Sequence, residues 1–91
     1  MRRVLVNVSR AFGISMERLL AKTSGWSDLE AAHARMAAYS IAKDKLGLGH
    51  FKIGSLIGDR HHTSVLHGVR RCAELIANDP DFAAAYERAR G

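Results

Sequence analysis

Apolar residues recur along this chain at helical spacing, three and four apart. Alternating β-branched runs are almost absent. The first such stripe is Val4, Leu5, Val8, Ala11 and Phe12, which predicts a helix from Arg2 to Phe12. Gly13 ends it, as the position after a helix favours positive φ. Ser15 then caps a short helix, with Glu17 in its first turn and Met16, Leu19 and Leu20 facing inward. Thr23 to Ser27 reads as a loop. Ser27-Asp28-Leu29-Glu30 fits a capping box opening a longer helix, from about Asp28 to Leu46. Met36, Tyr39, Ala42 or Lys43, and Leu46 mark its expected buried stripe. Gly47 and Gly49 bracket its end.

The second half is the more informative. Phe51 to Ile57 reads as a short helix with Phe51, Ile53, Leu56 and Ile57 apolar. Gly58-Asp59-Arg60 reads as a tight turn. A second helix begins at His61 or His62 and reaches about Asn78, with Val65, Leu66, Val69, Cys72, Ala73 and Ile76 as its stripe. A short helix, a glycine turn and a longer amphipathic helix suggest a helix-turn-helix over about 51–78. Asp79-Pro80 starts a last helix, the aspartate as cap and the proline where a missing N–H costs nothing. Phe82, Ala85, Tyr86 and Ala89 would pack it onto the core. The expected fold is all-α, a bundle of about six helices in one domain over 1–91. No internal repeat or low-complexity segment interrupts it.

Composition narrows the function classes. The 91 residues have ordinary globular proportions, 47% hydrophobic and 25% charged. The one cysteine, Cys72, cannot form an internal disulfide or a cysteine zinc cluster, and its place on the apolar stripe suits a small core residue. His62 and His67 stand five apart, about 500° around a helix, so they share no face for a metal. No nucleophile-and-base arrangement is legible around His61 or His62 with Asp59, so the chain is read as non-enzymatic, without cofactor or metal. No stretch approaches the roughly 18 apolar residues of a membrane span. The apolar run after Met1-Arg2-Arg3 stops at Asn7 with no cleavage site, so a cytoplasmic protein is expected. The net charge is +5, from 14 lysines and arginines against 9 acids. Ten of the 14 are arginine, the residue that pairs bidentately with phosphate and guanine.

In a helix-turn-helix the second helix enters the major groove N-terminus first. Here that turn carries Arg60, His61, His62, Thr63 and Ser64, all hydrogen-bonding and none acidic. A polar first turn is also normal on any helix, and Thr63-Ser64 could be simple capping.

The run Ile53-Gly54-Ser55-Leu56-Ile57-Gly58-Asp59-Arg60-His61-His62-Thr63-Ser64-Val65-Leu66-His67 resembles the signature of the DnaA C-terminal DNA-binding domain, I-G-x-x-F-G-G-R-D-H-T-T-V-L-H. Phe12-Gly13-Ile14-Ser15 with Leu19-Leu20 resembles that domain's first two helices. Arg35 to Lys43 resembles the start of its long helix. The likeness covers most of residues 2 to 78, and the chain is also similar to stand-alone modules of this family, activators of gene transfer agents among them. The resemblance implies duplex DNA as the partner. It implies His62 and Thr63 as base contacts, Ser64 at phosphate or base, and Arg60, His67 and Lys43 at the DNA backbone; His61 joins the base-contact candidates, and Lys52, Arg35 and Arg71 join the backbone candidates. A transcriptional regulator is the first expectation, with transcription machinery or another DNA-binding protein as a protein partner and no membrane. A replication-linked role, or a protein-interaction module that has lost DNA affinity, are the alternatives.

Three departures stand out. His61 replaces the family's aspartate, an acceptor, so the preferred DNA sequence should differ. The basic loop before the long helix is eroded to Lys22-Thr23-Ser24-Gly25-Trp26-Ser27-Asp28, with Arg35, His33 and Lys22 the nearest basic groups. Trp26 there packs on the core or marks a protein contact. No G-x-x-x-x-G-K-[ST] phosphate loop occurs, so the resemblance is to the reading head alone.

Overall fold

In the computed structural model, residues 1–21 and 28–91 are described. Among them the elements run α1 (Arg2–Phe12), α2 (Met16–Leu20), α3 (Leu29–Leu46), α4 (His50–Leu56), α5 (His62–Asn78) and α6 (Pro80–Arg90), with no strand. The all-α expectation holds. The Thr23–Ser27 loop and Trp26 lie outside the described residues.

Local chemistry sets most boundaries. Gly13 takes φ 64° after α1 and Gly47 takes φ 65° after α3, so each helix ends on a left-handed glycine. The Ser15 hydroxyl accepts from the Arg18 N–H at 3.2 Å. Asp79 accepts from the N–H groups of Asp81 and Phe82, both at 3.1 Å, and Pro80 follows in the first turn. The start of α3 is a correction. Asp28, not Ser27, is its cap, and the Asp28 carboxylate accepts from Ala31 N at 3.3 Å. Glu30 then stands second in the helix, where its charge suits the helix dipole.

Helix α3 is the centre of the molecule. It packs against α1, α2, α4 and α5. Its alanines at 31, 34, 37, 38 and 42 are buried on several sides, which lets the neighbouring helices approach closely. The single stripe expected from Met36, Tyr39, Ala42 or Lys43, and Leu46 is therefore too narrow. Tyr39 and Ala42 are buried, Met36 is half-buried, and Lys43 and Leu46 are exposed. Alanine carries little apolar signal, so a helix enclosed through alanines looks weakly amphipathic in sequence.

The stripe on α5 is also rotated from its expected position. Val65, Gly68, Cys72 and Leu75 are buried, whereas Leu66 and Val69 are half-buried and Ala73 and Ile76 exposed. The cause is Gly68. A Cβ there would stand 2.6 Å from Tyr39 Cδ2, so α5 meets α3 through a bare backbone. At the far side Phe82, Ala85, Tyr86 and Ala89 are all buried, as expected, and α6 packs on α1 and α5. Phe82 lies against Phe12, with ring centroids 5.3 Å apart.

Candidate nucleic-acid interface

The sequence 50–62 builds the angle between α4 and α5. Ile53 and Ile57 are fully buried and anchor α4, while Phe51 and Leu56 face outward. Gly58 takes φ 72° and Asp59 φ 52°, reversing the chain within the turn. The Arg60 N–H returns to the Gly54 carbonyl at 2.7 Å. A side chain on Gly54 would collide with the Arg60 carbonyl, so glycine is what lets the turn fold back so tightly. The reversal ends at His61, the cap of α5.

The first turn of α5 is displayed to solvent. His61, His62, Thr63 and Ser64 are all exposed, and Val65 behind them is fully buried. His61 Nδ1 accepts from the Thr63 N–H at 3.1 Å, so a histidine occupies the capping role. Its ring stacks on His62 at 4.3 Å, and His62 stacks on Phe51 at 5.8 Å, with interplanar angles of 29° and 28°. Phe51, 78% exposed, is a feature that pattern reading did not select as part of the site. The available signal was a large apolar residue on a short helix that has few core positions to fill.

A concavity of about 360 Å³ opens between α3 and α5. Arg35, Arg60, Ser64, His67 and Arg71 border it, and Tyr39 and Gly68 form part of its floor. No acidic residue lines it. Ser64, His67 and Arg71 are exposed. Arg71 also pairs with Glu74 at 3.1 Å along the helix, a contact open to water.

Two of the expected backbone contacts are placed differently. Arg35 is 3% exposed, and its Nη1 donates to the carbonyls of Arg18 and Leu19 at 3.3 and 3.2 Å. Burial, then the neighbouring charge of Arg60, holds it below the usual arginine value. Arg35 thus holds the end of α2 against α3 rather than standing free on the surface. Arg60 is half-buried and donates through Nη2 to the Ala21 carbonyl, tying the turn to the end of α2. Its buried Nε meets no partner among the described residues. Sequence spacing shows that these arginines are basic, but not that nearby carbonyls claim them. Lys43 and Lys52 are exposed and border neither this concavity nor the cleft at Phe51 and His62.

The remaining candidates separate from the site. His33 is half-buried, edge-on to Phe82 at 6.1 Å, and burial lowers its pKa. It belongs to the α6 side. Cys72 is buried and its thiol is pushed up by burial, which disfavours the nucleophilic thiolate. Among the described residues no group of three or more metal-ligating side chains is present. No helix among them is long and apolar enough to cross a membrane.

A short helix, a glycine-tight turn and a second helix with an exposed polar first turn define a helix-turn-helix module. The family model described as the bacterial dnaA protein helix-turn-helix matches residues 1–72, and the chain belongs to that family. It is 40% identical over 57 residues to the chromosomal replication initiator protein DnaA of Neisseria meningitidis, covering 63% of this chain and 11% of that protein. It is 47% identical over 49 residues to the DnaA of Nitrosospira multiformis, covering 54% and 10%. With the DnaA of Chromobacterium violaceum the identity is 38% over 58 residues, covering 64% and 12%. The chain thus matches only about a tenth of the length of these relatives. No solved structure matches it.

Proposed function

We propose that this chain binds duplex DNA with sequence preference, and that it acts as a regulator of transcription. The observation that carries the reading is the first turn of α5. Four exposed polar side chains, His61 to Ser64, stand there; Ser64 also borders a concavity with Arg35, Arg60, His67 and Arg71, while His61 and His62 line a cleft with Phe51, Ser55, Asp59 and Arg60. In this reading His61, His62 and Thr63 meet base edges in the major groove. Ser64, His67 and Arg71, with Lys43 and Lys52 at the flanks, meet the phosphates. Arg60 acts mainly by holding the turn. A module that reads DNA without chemistry of its own acts through what it recruits or displaces, so a protein partner from the transcription machinery belongs to the proposal. Its place of action would be the nucleoid in the cytoplasm.

Selection from a random duplex pool, followed by fluorescence anisotropy at rising salt, tests the reading. A recovered site, and an affinity that falls linearly with salt on a log–log scale, are expected. Affinity for no duplex would overturn it and leave a protein-interaction module. The relatives are replication initiators, which favours origin sites as the second reading. Genome-wide footprints at promoters support the first reading; footprints confined to the origin support the second.

A further inference from the structure

We infer that His61 reads its base pair as an obligate hydrogen-bond donor, through Nε2–H, and selects the acceptor edge of guanine. The inference rests on the DNA-binding reading above and specifies what that site recognises.

The local bonding dictates the tautomer. The N-cap of α5 is His61, and its Nδ1 accepts from the Thr63 N–H at 3.1 Å. A nitrogen that accepts carries no proton. The ring's N–H therefore sits on Nε2. The helix start therefore settles a choice that a free histidine leaves open. The nitrogen remaining for a ligand is a donor and cannot accept. Ring stacking fixes where that donor lies. His61 is held against His62 at 4.3 Å, and His62 against Phe51 at 5.8 Å, all within about 30° of parallel. Three rings in a column, one of them rooted in α4, restrain both imidazoles across the junction of the two helices. Phe51 is thus a positioning residue for the pair.

The major-groove edges then discriminate. Guanine presents two adjacent acceptors, N7 and O6. Cytosine presents an amino donor, which would face the Nε2 donor unpaired. Adenine offers N7 beside its own amino donor, and thymine offers O4 alone. Guanine is the base with the most acceptor surface for this ring.

The test is parallel selection from one random duplex pool with the parent chain, His61→Asp and Phe51→Ala, with thermal melting of each. Aspartate keeps a cap for α5 but offers acceptors only. The parent is expected to enrich guanine at one position. His61→Asp should melt within a few degrees of the parent, yet exchange guanine for cytosine at that position alone, with at least a tenfold reversal in relative affinity between duplexes differing there. Phe51→Ala should retain the site but lose preference at the positions read by His61 and His62. If the parent recovers a site and His61→Asp recovers the same one, the donor inference is wrong while DNA binding stands. If the parent recovers no site, the DNA-binding reading fails first and takes this inference with it.

Discussion

Replacing Gly54 with alanine should loosen the turn between α4 and α5 and weaken DNA binding with it. The added methyl would fall inside the contact distance of the Arg60 carbonyl oxygen, and would lie 3.1 Å from Arg60 C and 3.4 Å from Val65 Cγ2. Carbon and carbonyl oxygen ordinarily meet at about 3.3 Å, so α4 and the turn must part by about 1 Å. The obstacle is backbone, which cannot rotate away as a side chain would. Overpacking of this kind costs about 1–3 kcal/mol. The displaced residue is also the one whose N–H bonds the Gly54 carbonyl at 2.7 Å. Losing that bond adds about 1 kcal/mol. Alanine returns about 1 kcal/mol through its higher helix propensity. The net destabilisation is about 2 kcal/mol, or roughly 8–16 °C in melting temperature for a domain of this size. Calorimetry or circular-dichroism melting measures it, with Ser55→Ala, an exposed neighbour, expected within about 0.5 kcal/mol of the parent. Duplex affinity should fall further than stability at temperatures where the variant is still folded, because the angle of α5 changes. A Gly54→Ala chain that melts with the parent and binds duplex equally would refute the close-approach reasoning.

Other outcomes follow from the same geometry. His62→Ala or Thr63→Ala should cost about 1–3 kcal/mol at the selected site and relax its sequence preference, whereas Lys43→Ala should weaken all duplexes alike, as read by anisotropy on matched and mismatched DNA. Arg35→Ala leaves the Arg18 and Leu19 carbonyls without their donor and should destabilise by about 2–4 kcal/mol in chemical denaturation; an unchanged midpoint would show those bonds to be dispensable. The Arg18 guanidinium, 2.7 Å from Asp28, holds that carboxyl below its ordinary 3.8. The folded form binds this proton less tightly than the unfolded, so the contribution is present above about pH 5 and lost as pH falls through the depressed value. Arg18→Gln should flatten that acid limb, and superposed parent and variant curves would count against it. Burial pushes the Tyr86 phenol up to about 12. Its folded form keeps the proton longer than the unfolded, so stability should decline as pH rises from the ordinary 10.0 towards about 12, a decline that Tyr86→Phe should make shallower.

Where the chain itself carries the determinant, sequence and structure agree. Ser15, Asp79-Pro80, Gly13 and Gly47 bound helices through their own hydroxyls, carboxylates and backbone freedom, and these effects need no distant partner. The contiguous run from Ile53 to His67 was legible for the same reason. Its turn glycines, polar first turn and buried Val65 lie within fifteen residues. Tertiary structure decided what depends on neighbours far along the chain. The buried face of α5 turns on Gly68 meeting Tyr39, a contact between helices in which the key residue has no side chain to read. Arg35 and Arg60 look like free cations in sequence, yet carbonyls of Arg18, Leu19 and Ala21 claim them once α2 packs against α3. The column of Phe51, His62 and His61 forms only when the turn closes. Local sequence therefore determined where the helices begin and end, because their caps are local. Packing decided which polar groups remain free to meet a ligand, because a hydrogen bond already made inside the fold is no longer available to DNA.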